Sequence, residues 1–140
     1  MPKMIFVNLP VTDVAASTRF YEAIGCRKNE QFSNEKASSM VWSDVITFQL
    51  LQRDYFAGFA HKPVADAHAA CQAMFCLSCD SRADVDSLAS AVVRAGGKTD
   101  ARAPIDLDFI YNREFEDPDG HVFELVWLNA DAMPASEAAG

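Results

Sequence analysis

Alternation of apolar and polar side chains marks the start of the chain. In the run IFVNLPV, from Ile5 to Val11, every second side chain is apolar, which predicts a strand with one face on a core. Asp13 then stands where a helix N-cap is expected, and Gly25 stands where that helix would end. Residues 4–25 are therefore predicted to form a strand followed by a helix.

The same order of signals returns in the second half of the chain. The alternating run MFCLSC precedes a segment with helical spacing of apolar residues, which Ser81 would cap and Gly96 would end. After each helix, turn residues separate three short strand candidates. These candidates are 27–34, 37–43 and 45–52 in the first half and 98–101, 109–116 and 122–128 in the second. The pattern βαβββ thus occurs twice, as a duplication would produce, and short strands joined by turns favour mixed or antiparallel pairing.

Length and pattern together predict one α+β domain. A chain of 140 residues has the size of a single domain with its own core. We expect residues 1–130 to form it, from one module at 4–52 and another at 73–128. Residues 53–72 lack a clean period and are predicted to be an irregular connection, either a lid or a spacer. Residues 131–140 are small and polar, which is typical of a flexible tail.

Charge restricts the partners of the protein. The chain has 12 basic and 20 acidic residues and a net charge of −8, which repels phosphate backbones and anionic lipid surfaces. Nucleic acid and membranes are therefore not expected as partners. The N-terminus lacks the pattern of a signal peptide, and no apolar run approaches the roughly 20 residues needed to cross a bilayer. A soluble, cytoplasmic protein is the expectation.

Four cysteines fit reduced thiols in that compartment better than a disulfide framework. Cys76 and Cys79 form a C-x-x-C spacing, which also occurs in zinc and redox sites. Here the spacing lies in a predicted strand, where it sends the two side chains to opposite faces. We therefore interpret both as small, buried apolar residues.

Two segments resemble a known superfamily. The helix-opening segment VNLPVTDVAASTRFYEAIG and the later FEDPDGHVFEL, with its D-P-D-G-x-x-x-E motif at Asp117–Glu124, are similar to the vicinal oxygen chelate superfamily of glyoxalase I, bleomycin-resistance proteins and extradiol dioxygenases. The pattern looks closest to bacterial glyoxalase-like proteins labelled as lactoylglutathione lyases. The resemblance covers residues 4–128. It implies two βαβββ modules in a curved mixed sheet, with a small molecule in the cup between them, and it implies a homodimer.

The resemblance also implies a divalent metal, but the ligand positions do not support one. Matched to the superfamily pattern, the ligand positions fall on Phe6, Met74, Thr47 or Gln49, and Glu124. A phenyl ring supplies no donor, and a thioether is a poor ligand for such ions. We therefore expect no metal and no other cofactor. The three histidines, His61, His68 and His121, are interpreted as two exposed loop residues and one residue that supports the turn.

Glu124 is the candidate catalytic residue. Strand parity turns it, with Val122 and Val126, away from the helix and into the implied cup, where a carboxylate could act as a general base. Tyr111 and Arg113 share one face of the neighbouring strand. If that face is the inner one, they would bind an anionic or aromatic molecule.

Other interpretations of these residues stay open. Arg113 could instead form a space-filling ion pair with Glu124 or lie on the outer face. Asn8 and Gln49 could orient a ligand or satisfy each other.

The sequence leaves two functions open. One is an enzyme of glyoxalase or isomerase type that uses Glu124 as its base, with Arg113, Tyr111 or Asn8 stabilising an enolate. The other is a binding protein of the bleomycin-resistance type, which would sequester a small molecule without chemistry. A purely structural dimerisation module is less favoured, since the residues facing the cup are more polar than filling requires.

Overall fold

The first half of the chain folds as a strand, a helix and three further strands. A computed structural model describes residues 2–133 of the protein. The elements of the first half are β1 (Ile5–Val11), α1 (Val14–Ala23), β2 (Arg27–Lys28), a 3-10 helix at Glu30–Phe32, β3 (Ala37–Val41) and β4 (Ile46–Gln52). A short helix, α2 (Arg53–Phe59), follows β4 directly.

The second half repeats this order and adds one strand. Its elements are β5 (Met74–Ser78), α3 (Arg82–Arg94), β6 (Lys98–Thr99), β7 (Ile105–Leu107), β8 (Ile110–Glu116), β9 (Val122–Leu128) and a 3-10 helix at Ala130–Ala132. The predicted tail at 131–140 begins inside this last helix, and residues 134–140 lie outside the described residues.

Each half forms one mixed sheet, which confirms the predicted α+β class. The strand order is β1-β4-β3-β2 in the first sheet and β5-β9-β8-β6 in the second, where β7 pairs with β8. In both sheets the first strand of the module runs parallel to its last strand, and the other neighbours are antiparallel. The first and last strands of a module are therefore adjacent although they are distant in sequence.

The helix caps form as the sequence predicts. The Asp13 carboxylate accepts a hydrogen bond from the backbone N–H of Ala16, at 3.0 Å. The Ser81 hydroxyl accepts one from the N–H of Asp84, at 3.1 Å. Each cap satisfies one of the free donors at a helix N-terminus, so the two long helices begin at fixed residues.

Several predictions of secondary structure needed correction. The candidate at 27–34 is only two residues of strand, because Asn29 caps a 3-10 helix there. The candidate at 98–101 is equally short, and β7, a strand of only three residues, was not predicted. The connection at 53–72 is partly helical, since α2 occupies its start. No side chain caps α2, and Gly58 lies within it. The sequence therefore gives no clear signal for this helix.

One aromatic core joins the two halves. Phe20 and Tyr21 of α1 contact Phe115 and Phe123 of the second sheet, and Phe48 of the first sheet lies 5.3 Å from Phe123 between ring centroids. All five rings are buried, and α1 and α3 contact each other beside them. Each module thus covers its apolar face with its own helix and with the other module. Within residues 2–133, no helix is both long enough and apolar enough to span a bilayer.

Candidate functional site

Two polar side chains of the first sheet, Asn8 and Gln49, lie on the face away from α1. Leu9 and Phe48 are buried on the α1 face, so the alternate residues Asn8 and Gln49 point to the opposite side. Asn8 and Gln49 are direct neighbours in the parallel pair of β1 and β4. The structure therefore brings these two predicted site residues together, on a surface that we call the open face of the first module.

Glu124 occupies the equivalent open face of the second module. Phe123 and Leu125 are buried against α3, which turns Glu124 the other way, as its spacing predicts. Its neighbour across the parallel pair is Cys76, and its neighbour across the antiparallel pair is Glu114. Cys76 thus stands beside Glu124 just as Asn8 stands beside Gln49.

Arg102 is the partner of Glu124, and the sequence did not reveal it. One guanidinium nitrogen of Arg102 lies 2.8 Å from the Glu124 carboxylate and 2.7 Å from the Asn112 side-chain oxygen. The Glu124 side chain is 18% exposed and that of Arg102 is 37% exposed. Arg102 belongs to the loop between β6 and β7, which has no periodic pattern to place it. An ion pair, rather than an empty polar cavity, explains this acid in an apolar strand.

Tyr111 and Arg113 do not line the cup, which corrects one interpretation of the sequence. They pair with Trp127 and Leu125, so they share the face covered by α3 and lie opposite to Glu124. The structure supports the alternative in which Arg113 lies on the outer face. The register across the turn determines this arrangement. Glu116 pairs with Val122, so Glu114 lies opposite Glu124 and Arg113 lies opposite Leu125.

The contacts of Arg113 and Tyr111 are structural. The Arg113 guanidinium binds Asp100 at 2.6 Å and Asp86 of α3 at 2.9 Å. These hydrogen bonds, first that to Asp100, raise the pKa of Arg113. The Tyr111 hydroxyl donates to Asp86 at 2.7 Å, which raises the pKa of that phenol. Both residues therefore tie α3 to its sheet.

The cysteines only partly match their interpretation. Cys76 and Cys79 do point to different environments, but Cys76 is exposed rather than buried, and Cys79 is half-buried against the core. Burial, and then the charge of Glu124, raise the pKa of the Cys76 thiol. That thiol is therefore kept protonated on the second open face, next to an acid.

The D-P-D-G turn connects the two modules. Asp117 is buried and accepts hydrogen bonds from the Tyr21 hydroxyl at 2.7 Å and from the His121 backbone N–H at 2.8 Å. Asp119 accepts one from the backbone N–H of Thr12 at 2.9 Å. Burial raises the pKa of the Asp117 carboxyl, and the neighbouring His121 partly offsets that rise. The motif holds the second module against the end of β1.

The three histidines lie near their expected places. His61 and His68 are exposed in the connection, as predicted. The backbone of His121 supports the turn, and its ring nitrogen Nε2 is 2.8 Å from the Pro10 carbonyl oxygen. His121 therefore adds a second contact between the modules.

Two cavities adjoin Asn8. The first, of about 520 Å³, lies over the end of the first open face, and we call it the roofed cavity because α2 covers it. It is lined by Asn8, Ala37, Leu51, Tyr55, Phe56, Phe59 and Ala60. The second, of about 250 Å³, is the seam cavity, which lies where β1, the D-P-D-G turn and the connection meet. Asn8 and Phe56 line both cavities, so the two are neighbours.

Sequence comparison assigns the family. A family model described as the Glyoxalase/Bleomycin resistance protein/Dioxygenase superfamily matches residues 3–125. The chain belongs to this superfamily. No curated protein sequence matches it.

Solved structures agree with this membership of the superfamily. The hypothetical protein SA1046 from S. aureus is 25% identical, with a TM-score of 0.76 over 91% of this chain and 94% of that one. The fosfomycin resistance protein FosX from Mesorhizobium loti is 19% identical, with a TM-score of 0.67 over 100% and 99%. TnmS3, an antibiotic binding protein from Streptomyces sp. CB03234, is 17% identical, with a TM-score of 0.64 over 92% and 98%. The last two show the shared fold alone.

The divalent metal that the superfamily implies does not fit these residues. Phe6 and Met74 occupy two of the four matched positions, and both are exposed side chains without a suitable donor atom. Glu124, the one carboxylate among the matched positions, is already engaged by Arg102. Among residues 2–133, no three His, Cys, Asp or Glu side chains lie close enough to share an ion. We therefore derive no chemistry from a metal.

Proposed function

We propose that this protein binds a small, largely apolar molecule in the roofed cavity, beside Asn8. The observation that carries the proposal is the cavity itself. Its volume of about 520 Å³ falls within the range of about 300–1,000 Å³ that is typical of ligand sites. It also lies on the open face, where the superfamily places its cup.

The lining of the roofed cavity supports an apolar or aromatic ligand. Tyr55 and Phe59 of α2 form an edge-to-face pair at 5.0 Å and are 38% and 69% exposed, so their rings have free apolar surface. Leu51 lies on the sheet side of the cavity. Asn8 is its one amide and provides both a donor and an acceptor. Apolar walls with a single orienting group are typical of small-molecule sites.

The names of two related structures point the same way. One is a fosfomycin resistance protein and the other an antibiotic binding protein. A sequestering role of the bleomycin-resistance type needs an apolar site and no metal, and both conditions suit the residues of this chain.

The proposal can be tested with N-phenyl-1-naphthylamine, a neutral dye that becomes fluorescent in apolar sites. Ala60, the residue that follows α2, lines the roofed cavity, so Ala60→Trp fills it, whereas Ala57→Trp changes α2 at an exposed position that does not line it. We expect Ala60→Trp to weaken binding at least tenfold and Ala57→Trp to leave it within twofold. Equal affinity in the two variants, or no binding to the unaltered protein, would contradict the proposal.

A second candidate function is catalysis at Glu124, as a lyase or isomerase of glyoxalase type. The observation that favours it is the Arg102–Glu124 pair, which offers a base and a guanidinium on one face. Glu124 would take a proton next to a carbonyl, and Arg102 would stabilise the resulting oxyanion. The test is turnover of the hemithioacetal of methylglyoxal and glutathione. If Glu124→Gln abolishes this turnover and leaves dye binding unchanged, the function is established. No turnover by the unaltered protein would exclude it for that substrate.

The proposal includes a homodimer in the cytoplasm. Phe6 and Met74 are 52% and 62% exposed on the open faces, and such apolar side chains are commonly covered by a second subunit. The exposed thiols of Cys71 and Cys76 suit a compartment that keeps cysteines reduced. Sedimentation velocity should give a mass of two chains, and Phe6→Ser should shift the protein toward monomer. A monomer at all concentrations would contradict this part of the proposal.

A further inference from the structure

We propose that the seam cavity is a separate binding site, for a neutral molecule or substituent of one or two rings. It shares only Asn8 and Phe56 with the roofed cavity. This inference does not need the proposed function to be correct, since the two cavities can be filled independently.

Three distant parts of the chain form the seam cavity. The end of β1 contributes Leu9 and Pro10, and the D-P-D-G turn and start of β9 contribute Gly120 to Val122. The connection after α2 supplies most of the remaining wall, and Phe56 of α2 and Phe75 of β5 complete it. A ligand here would therefore contact both modules at once, at the place where the turn already joins them.

The cavity exists because the connection presents small side chains to it. Ala65, Ala67, Ala70 and Ala73 line it, where larger apolar residues would fill the space. The wall is also prevented from moving inward or outward at two points.

Arg53 holds one side of the wall. This residue opens α2, and its guanidinium donates to the backbone carbonyls of Val64 and Ala65, each at 3.2 Å. Both of those residues line the cavity. The connection is thus tied to the helix that separates the two cavities.

Gly120 holds the other side. Its φ is +88°, which favours glycine, and a side-chain carbon added there would lie 2.8 Å from the backbone nitrogen of His68. The turn and the connection are therefore in direct backbone contact. Because both ends of the wall are fixed, the space between them persists.

The chemistry of the lining selects a neutral ligand. No Asp, Glu, Lys or Arg side chain is among the lining residues, so a charged group would lose its hydration without gaining a partner. The His121 ring already contacts the Pro10 carbonyl. The amides of Asn8 and Gln72 remain to make one or two hydrogen bonds.

The size of the seam cavity fits ring compounds. An engineered apolar cavity of about 150 Å³ binds benzene, and this one has about 250 Å³. A bicyclic molecule with one polar atom, such as indole, matches both the volume and the amides. Phe56 stands between the cavities, so a longer ligand could place one ring on each side of it.

Indole is the probe for this site, with benzoate and benzylamine as charged counterparts of similar size. Binding is measured by titration calorimetry on the full chain. Ala70→Phe fills the seam cavity, and Ala69→Phe is its matched control, because Ala69 is the adjacent exposed residue that does not line it. We expect Ala70→Phe to weaken indole binding at least tenfold, Ala69→Phe to change it less than twofold, and the charged probes to bind at least tenfold more weakly than indole.

Other outcomes separate this inference from the proposed function. Indole binding that Ala60→Trp removes and Ala70→Phe leaves intact would place indole in the roofed cavity and overturn the inference. The inference would also be overturned if indole did not bind, or if benzoate bound as tightly as indole. Both outcomes are independent of the dye result at the roofed cavity. If Ala70→Phe does not fold, as judged by circular dichroism, Ala73→Leu takes its place with the same expectations.

Discussion

The two modules share a backbone plan and differ in what covers their open faces. In both, a first strand pairs in parallel with the last, which places Asn8 beside Gln49 and Cys76 beside Glu124. The first pair is neutral and lies next to a cavity roofed by aromatic rings. The second is acidic and lies under the Arg102 loop. Register determines which residues face the cup, whereas the segments between strands determine the chemistry there.

The covering segments have different origins in the chain. The roof of the first face is α2, which continues directly from β4. The cover of the second face is the loop between β6 and β7, and its Ala101 N–H donates to the Glu114 carboxylate at 3.2 Å. The first cover leaves space below it, and the second fills its space with an ion pair. Of the two open faces, we therefore expect the first to bind a ligand.

The largest effect should come from the aromatic residues that precede Gln49 and Glu124. Phe48 and Phe123 hold equivalent positions, are both buried, and contact each other. Each change to alanine should lower the free energy of unfolding by about 3–5 kcal/mol, since it removes a large buried ring. Urea unfolding followed by circular dichroism measures this loss.

The double variant tests whether the modules share one core. Because the two rings touch, the loss in Phe48→Ala with Phe123→Ala should be smaller than the two single losses combined. A sum of independent losses, or two separate unfolding transitions, would show that the halves are stable units that merely adjoin.

Removing the helix caps should have a smaller and nearly equal effect in the two modules. Asp13→Ala and Ser81→Ala each delete one hydrogen bond to a backbone N–H at the start of a helix. We expect each to cost about 1 kcal/mol in urea unfolding. Thr12→Ala is the control for the first helix, because only its backbone makes the contact to Asp119. A much greater loss at one cap would show that its module carries more of the stability.

The smallest effect concerns pH and the contact between modules. Burial raises the pKa of Asp117 in the folded protein, so the folded state holds that proton more tightly than the unfolded state. Stability from this group is complete below the ordinary value of about 4 and is lost as the pH rises through the raised pKa. Asp117→Asn should abolish this loss, so the variant should gain stability relative to the wild type as the pH rises from about 4 through the raised pKa.

Paired urea titrations at several pH values measure that difference. Tyr21, Asp119 and His121 face Asp117, and all three remain in the variant. A constant difference between variant and wild type across the range would contradict the raised pKa. Asp117→Ala, which leaves the Tyr21 hydroxyl without its acceptor, should instead be destabilised at every pH.

Much of the fold followed from periodicity and caps. The strand at Ile5–Val11, both long helices and the face occupied by Glu124 depend on local patterns of two or about four residues, which a sequence displays directly. Asn8 and Gln49 were brought together for the same reason, since each alternates with buried apolar neighbours. The roles proposed for these residues stay predictions.

The missed features depend on contacts between distant segments. Arg102 lies in an aperiodic loop, and only the folded sheet shows that it reaches Glu124. The sequence left the face of Tyr111 and Arg113 open, and the strand register across the turn places both on the face opposite to Glu124. The connection was predicted to be a lid or a spacer, but the helix α2 within it was not predicted, because a seven-residue helix without a cap leaves no clear signal.

The parallel pairing of first and last strands also sets an order of events during synthesis. Ile5 pairs with Ile46 and Met74 with Val122, so neither sheet can close until its final strand has been made. Pairing across such separations slows folding. A nascent chain that has released Gln52 holds every strand of the first sheet, yet Phe48 still lacks the rings of Phe75 and Phe123. Until the last strand has left the ribosome, the first module therefore exposes apolar surface that the second module later covers. During that interval the chain is most prone to aggregation and depends most on chaperones.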